Sequence, residues 1–243
     1  MPNPAQAKAV VWGTSDGTPA HVPLALWGVG TARALRAHWM LAELEVPYIS
    51  YRIQSRSGET LDPAYLKLNP RHKIPTLQHG ALTLSESAAI IQYLLEIFDA
   101  PDGLFVPTDC AQRAKVNEWC YFIMNELDGH TLYVIRRHVG LKHIYGEAPE
   151  AVESAKAYFR EQIEAIQPRF EELTAYLFGQ RLSVADILLT TCLDWAASVG
   201  IAVPGSVTAY RERVAARPGY IEAMYRNDPA TVPPDHACLP TVA

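Results

Sequence analysis

Several polar residues stand where helices are predicted to begin, and such positions can bind an anion. Thr31 precedes a helical stretch over about 31–45, and Glu86 and Ser87 precede the helical stretch AAIIQYLLEIF. The first N–H groups of a helix lack partners within it, so a negatively charged group is stabilised there. Ser and Thr at these positions also cap helices. Helix capping and ligand binding are therefore both open for these side chains.

The stretch HKIPTL at residues 72–77 combines an apolar run with a proline. Proline has no N–H and a fixed φ, so it belongs at the first position of a strand, at a sheet edge or in a cis turn. Pro75 therefore marks either a plain boundary between a loop and a strand or a built turn. The residue alone does not choose between these interpretations.

The four cysteines are Cys110, Cys120, Cys192 and Cys238. They form no CxxC pair, and no histidine stands at metal-ligand spacing from them. We therefore predict reduced structural thiols, with neither a metal site nor a disulfide framework.

Composition and charge exclude several classes of protein. The chain has 243 residues, of which 49% are hydrophobic and 19% charged, and a formal net charge of −5. Scattered lysines and arginines on an acidic chain predict no nucleic-acid partner. No apolar run approaches the ~18–20 residues that span a bilayer, and the N-terminus lacks a signal-peptide pattern. We therefore expect a cytoplasmic protein with no membrane partner.

The first half alternates between strands and helices. PLALWG from residue 23 is a predicted strand, a helix follows, and PYISYRI after it alternates as a second strand. A short helix, PAYLKL, precedes IPTLQ and ALTL, which form a predicted hairpin before the helix that starts near Ser87. The order βαβ, α, ββα predicts a small mixed sheet over residues 23–98.

The second half is predicted to be entirely helical. DAPDGLFVPTD contains two prolines and a glycine and gives a predicted linker at 99–105. Apolar residues then repeat at intervals of three and four, and SVAD at 183–186 forms a capping box. We predict a helical domain over 106–226, with tails at 1–22 and 227–243 outside the fold.

These stretches together resemble the cytosolic glutathione S-transferase family over about residues 23–226. NPRHKIPTL is similar to that family's NPxxK[IV]PxL, and LSESAAIIQYL to its ESxAIxxYL. LSVADILL resembles the capping-box motif of its central C-terminal helix, and ARPGYIEA its closing RPxxxxA. The resemblance implies an α/β plus all-α protein, with a thioredoxin-like N-terminal domain followed by a helical-bundle C-terminal domain.

The resemblance also implies a glutathione site. Pro75 would be cis, and the main chain of Ile74 would pair with the cysteinyl part of glutathione. Ser87 and the helix N–H groups would take the γ-glutamyl carboxylate, and Glu86 would take the γ-glutamyl amine. Lys73 would meet the glycyl carboxylate.

The residue that activates the thiol departs from the family pattern. Family members use Tyr, Ser or Cys near the start of the first helix, but WGVGTARALRAHW offers Thr31 as its one hydroxyl. Thr31 is the predicted catalytic residue, with simple helix capping as the alternative. The N–H of Ala32 or the charge of Arg33 would otherwise carry the activation.

The resemblance implies a homodimeric glutathione transferase that uses glutathione as co-substrate and small hydrophobic electrophiles as partners. Two alternatives remain. One is a glutathione-binding or other ligand-binding protein without catalysis, and the other is a protein-interaction module of the same fold.

Overall fold

A mixed sheet forms the centre of the first of two structural units. The computed structural model describes residues 9–12 and 24–231. Within these, the first unit takes residues up to Pro101 and those from Pro218 onward, and the second unit takes Asp102–Arg217.

The strands of this sheet, among the described residues, are β1 Ala9–Trp12, β2 Leu24–Val29, β3 Tyr48–Gln54, β4 Thr76–His79 and β5 Leu82–Ser85. Their order is β1-β3-β2-β4-β5. Only the β2–β3 pair of this sheet is parallel, with Ala25 opposite Ile49, and its other pairs are antiparallel. The predicted βαβ and hairpin arrangement is confirmed.

Strand β1 corrects the prediction that residues 1–22 lie outside the fold. Ala9–Trp12 pairs antiparallel along β3, which covers the main-chain groups of what would otherwise be an edge strand. The Trp12 side chain is buried and meets Tyr225 edge to face. A four-residue apolar run in a Pro-rich tail does not reveal such pairing. Residues 1–8 and 13–22 of that predicted tail lie outside the described residues.

The α-helices described in the first unit are α1 Ala32–Glu43, α2 Pro63–Leu68, α3 Ser87–Ile97 and α10 Pro218–Asn227. Helix α1 is buried on all sides from Ala34 to Leu41, a stretch that includes Leu35 and Trp39. Helix α3 buries Ile90, Ile91 and Leu94 in the same unit.

The last helix differs from the predicted domain limits, which grouped residues 218–226 with the helical half. Helix α10 packs against α1, and the ring of Tyr220 meets the ring of Trp39 edge to face at 4.9 Å. Gly219 allows this approach, because a Cβ there would lie 2.5 Å from Glu43 Oε1. The helical pattern predicts the helix itself, but its contacts with α1 place it in the first unit. In the predicted tail from 227, Asn227 ends α10, and residues 232–243 lie outside the described residues.

The second unit is helical, as predicted. It contains α4 Cys110–Phe122, a π-helical segment Ile123–Leu132, α5 Tyr133–His138, α6 Lys142–Tyr145, α7 Pro149–Glu172, α8 Val184–Ser198 and α9 Gly205–Ala215. Within the predicted linker, Leu104 is buried and bridges Leu182 of this unit. The remaining predicted domain limits stay predictions.

The predicted capping box of α8 is confirmed and is part of a larger buried network. Asp186 Oδ2 accepts from the Ser183 N–H at 2.8 Å, and its Oδ1 accepts from Leu177 N–H and Tyr210 Oη–H. Burial raises the pKa of the Asp186 carboxyl. These bonds are architectural, because they join three segments of the second unit.

Within residues 9–12 and 24–231, no helix is long and apolar enough to cross a membrane. The same residues contain no cluster of three or more His, Cys, Asp or Glu side chains arranged to hold a metal ion. Cys110, Cys120 and Cys192 form no disulfide within the described part of the chain, and Cys238 lies outside it.

Candidate functional site

The loop before β4 is held against the end of β2. The Ile74–Pro75 peptide bond is cis, which confirms the prediction for HKIPTL. Gly28 near the end of β2 has a φ of +117°, and a Cβ there would lie 2.5 Å from Ile74 Cβ. Glycine is therefore required at this position both for its backbone conformation and for the close approach of the two segments.

Polar side chains from the α2 region hold the turn in front of the cis bond. The Tyr65 hydroxyl donates to Lys73 O at 2.5 Å, and Asn69 Nδ2 donates to the same oxygen at 3.0 Å. Both side chains also bond Thr76 Oγ1. Within residues 24–231 we find no hydrogen-bond partner for the main chain of Ile74. An extended peptide can therefore pair with it.

The Lys73 side chain is exposed, and none of the ion pairs among the described residues includes it. His72 before it adopts a left-handed backbone with φ 44°. Lys73 thus offers a solvent-facing cation beside the Ile74 main chain.

Glu86 adopts φ 78°, which is uncommon for a residue with a side chain. Its carboxylate makes no capping bond to α3 and instead accepts from Arg71 Nη1 at 2.9 Å. Arg71 also donates to Ser85 Oγ. The capping interpretation therefore does not describe Glu86, whose carboxylate is directed to solvent and to Arg71.

Ser87 is the first residue of α3 and is buried, with 3% of its surface exposed. Its Oγ accepts from Arg36 Nη1 at 3.2 Å, and Arg36 is itself fully buried. A helix N-terminus, a hydroxyl and a guanidinium group thus meet at one point. Each of them favours a carboxylate.

Thr31 caps α1, because its Oγ1 accepts from the Ala34 N–H at 3.0 Å. The capping alternative is therefore correct in geometry, yet it uses only a lone pair of the oxygen. The hydroxyl hydrogen can still be donated to an anion at the same helix start. Capping and anion binding are compatible at this residue.

Behind the loop that carries Thr31, a buried histidine fixes the main chain. His38 Nε2 lies 3.0 Å from Gly28 O, and its Nδ1 lies 2.6 Å from Tyr48 Oη. A carbonyl only accepts, so Nε2 carries the hydrogen and Nδ1 accepts from the tyrosine. Burial lowers the pKa of His38 to about 3, with the charges of Arg52 and Arg226 acting in the same direction and the Gly28 bond opposing them.

The structure thus places Ile74 and Pro75 beside the end of β2, and it joins Ser87 to α1 through Arg36. Sequence reasoning missed Arg36, Arg71 and His38. Arg36 stands near Ser87 only in space, and Arg71 lies within NPRHKIPTL but meets Glu86 only in space. A histidine on an apolar helix gives no signal of its partner.

Known families and proteins match the chain over both units. The family model described as the glutathione S-transferase N-terminal domain matches residues 32–97, and that of the glutathione S-transferase C-terminal domain matches residues 122–218. Glutathione S-transferase D7 of Drosophila melanogaster is 33% identical over 177 residues, which cover 71% of this chain and 75% of that protein.

Two solved structures illustrate the likeness in three dimensions. A delta-class glutathione transferase of Nilaparvata lugens is 27% identical with a TM-score of 0.70, covering 84% of this chain and 94% of its own. A glutathione transferase homolog of Drosophila mojavensis with bound glutathione is 25% identical with a TM-score of 0.72. The match covers 83% of this chain and 91% of the other.

Proposed function

Because this chain belongs to the glutathione S-transferase family and is a glutathione transferase, we propose that its first unit binds glutathione between the cis-proline loop and the start of α3. One observation carries the proposal. The main chain of Ile74 has no partner among the described residues, and it lies in a loop that Tyr65, Asn69 and Gly28 hold in place.

The three parts of glutathione find complementary groups. The Ile74 N–H and C=O pair with the cysteinyl main chain, as an added strand would. Ser87 Oγ–H and the first N–H groups of α3 bind the γ-glutamyl carboxylate, with the Arg36 guanidinium 3.2 Å from Ser87 Oγ adding positive charge. The Glu86 carboxylate binds the γ-glutamyl amine, either instead of its present partner Arg71 or in addition to it. Lys73 binds the glycyl carboxylate.

The helix start at Thr31 activates the thiol. The Thr31 hydroxyl donates to the sulfur while its oxygen continues to accept from Ala34, and the positive end of α1 adds to the stabilisation. The thiol loses its proton to solvent. The thiolate electron pair then forms a carbon–sulfur bond to the electrophile, which expels its leaving group or takes up a proton.

We extend the proposal to a cytoplasmic homodimer that acts on small hydrophobic electrophiles in detoxification. The family resemblance supports these finer points. Cys110, Cys120 and Cys192 form no disulfide among the described residues, which agrees with a reducing location.

The proposal is tested by calorimetry with glutathione and with cysteinylglycine, which lacks the γ-glutamyl part. We expect glutathione to bind at least tenfold more tightly in the wild type, and this preference to shrink in Ser87→Ala. Turnover is followed with a panel of aromatic halides and enals. Failure of wild-type protein to bind glutathione contradicts the proposal.

A further inference from the structure

Helix α10, the last helix among the described residues, ends against the loop that carries Thr31. The Gly30 N–H donates to Asn227 O at 2.8 Å and to Asn227 Oδ1 at 3.0 Å. Asn227 Nδ2 donates to Thr31 O at 3.3 Å. One amide side chain, only 9% exposed, therefore bonds two peptide units, Val29–Gly30 and Thr31–Ala32, on either side of Gly30 and Thr31.

The end of α10 is itself held from the sheet. The Arg52 guanidinium on β3 donates to Arg226 O at 2.8 Å and also to Asp228 O. A cation at the carboxyl end of a helix is favoured by the helix dipole, and charge-assisted bonds are the stronger ones. The position of Asn227 is thus set by β3 as well as by its contact with the loop.

Two further contacts constrain the main chain around residues 30 and 31. Gly30 has φ 78°, and a Cβ there would lie 2.7 Å from Pro229 Cγ. Just before the loop, Gly28 O near the end of β2 accepts from His38 Nε2. Asn227 therefore holds the peptide units around Thr31 together with the first helical bond of α1, from the Leu35 N–H to Thr31 O at 2.9 Å.

We propose that Asn227 is a positioning residue for thiol activation. By bonding the Gly30 N–H and Thr31 O, it holds the Val29–Gly30 and Thr31–Ala32 peptides on either side of Gly30 and Thr31, and with them the directions of the Thr31 hydroxyl and the Ala32 N–H. The inference rests on the proposed binding of glutathione at this helix start. Residues 30, 31 and 227 all lie outside the stretches 32–97 and 122–218 that the family models match.

The test compares wild type, Asn227→Leu and Asn227→Asp, each saturated with glutathione, by following the absorbance of bound thiolate against pH. Leucine has a similar volume but no amide. Aspartate keeps the acceptor for Gly30 and loses the donor to Thr31. We expect both changes to raise the pKa of the bound thiol by ~0.5 to 1, a roughly three- to tenfold loss of thiolate at neutral pH. The glutathione Kd should change less than about twofold. A variant that merely disorders the binding site would instead weaken binding together with the change in thiol pKa.

Met224→Ala is the matched control, because Met224 is exposed on the same helix. An unchanged thiol pKa in both Asn227 variants overturns the inference, as does an equal rise in Met224→Ala. If Asn227→Leu does not fold, Asn227→Ser decides in its place, because it removes the amide without adding the negative charge that by itself raises the thiol pKa in Asn227→Asp.

Comparison with Thr31→Val separates this inference from the proposed role of the hydroxyl. A shift in Asn227→Leu without one in Thr31→Val supports positioning of the loop and rejects the hydroxyl, leaving the Ala32 N–H to act. Absence of bound thiolate in wild type overturns both proposals.

Discussion

The Tyr48 hydroxyl lies 2.6 Å from His38 Nδ1, and the opposite nitrogen of the same ring bonds Gly28 O. Both side chains are buried. The pair links β3 to α1 and to the end of β2, which the cis-proline loop of the proposed glutathione site contacts. Burial also raises the pKa of Tyr48, so that both partners are neutral in the folded protein over the ordinary pH range.

The first prediction concerns stability in acid. The folded pKa of His38 is about 3 and its ordinary value is 6.5, so the unfolded chain takes up this proton first as pH falls. The contribution is complete above pH 6.5 and is lost between pH 6.5 and 3, at up to about 1.4 kcal/mol per pH unit. Urea unfolding should show a loss of roughly 2–3 kcal/mol from this group at pH 4.5.

His38→Gln keeps an amide donor and acceptor but cannot titrate, so its stability should fall less steeply with acid. His143→Gln, at an exposed position, should behave as wild type. Equal slopes for His38→Gln and wild type between pH 6.5 and 4.5 would show that His38 is not the group responsible.

The second prediction concerns Gly28. Alanine at this position meets both an unfavourable φ of +117° and a contact of 2.5 Å with Ile74 Cβ. Gly28→Ala should lower the free energy of unfolding by about 2–4 kcal/mol and weaken glutathione binding, because the cis-proline loop must move away.

Gly58→Ala separates these two causes, since Gly58 has φ +91° but nothing within 4 Å of an added Cβ. It should cost only about 1 kcal/mol and leave glutathione affinity unchanged. If the two variants lose equal stability, the contact with Ile74 is not important.

The third prediction concerns the start of α3. Ser87→Ala should raise the Kd for glutathione by roughly fivefold to a hundredfold, about 1–3 kcal/mol, because a charge-assisted hydrogen bond to the ligand carboxylate is lost. Calorimetry measures this change. Thr83→Ala on the exposed strand β5 is the control and should bind as wild type. An unchanged Kd in Ser87→Ala would reassign the hydroxyl to its bond with Arg36 alone.

The fourth prediction concerns Thr31. Thr31→Val should raise the pKa of the bound glutathione thiol by about one, whereas Thr31→Ser should keep the wild-type value. Valine also removes the cap on Ala34 N–H and should cost about 1 kcal/mol of stability.

The cap effect has its own control. Asp109→Ala removes the N-cap of α4, whose side chain accepts from Gln112 N–H at 2.9 Å. It should cost similar stability without any change in the thiol pKa. A thiolate titration of Thr31→Val identical to that of wild type means that Thr31 only caps its helix.

Local sequence patterns predicted several features of the fold. Pro75 before an apolar run, the hairpin around Gly80 and the SVAD capping box each depend on neighbours within a few residues, and the structure confirms the cis bond, the hairpin and the cap. These features follow from backbone geometry and short-range hydrogen bonds, which is why a single sequence can indicate them.

Strand β1 and helix α10 show where this reasoning ends. AVVW is too short for its pattern to predict a strand. It forms one because its main chain pairs with the otherwise unpaired edge of β3. The pattern of α10 predicts a helix, but its packing against α1 depends on the contact of Tyr220 with Trp39 and on the space that Gly219 leaves.

The sequence by itself determined the family, the two kinds of unit and the candidate residues Thr31, Lys73, Ile74, Pro75, Glu86 and Ser87. Only the tertiary structure decided what surrounds them. Arg36 meets Ser87 across 51 positions of the chain, and Asn227 meets Gly30 across 197. Hydrogen bonds of this kind arise when packed elements bring remote groups within 3 Å or so, and residue spacing along a chain carries no record of that distance.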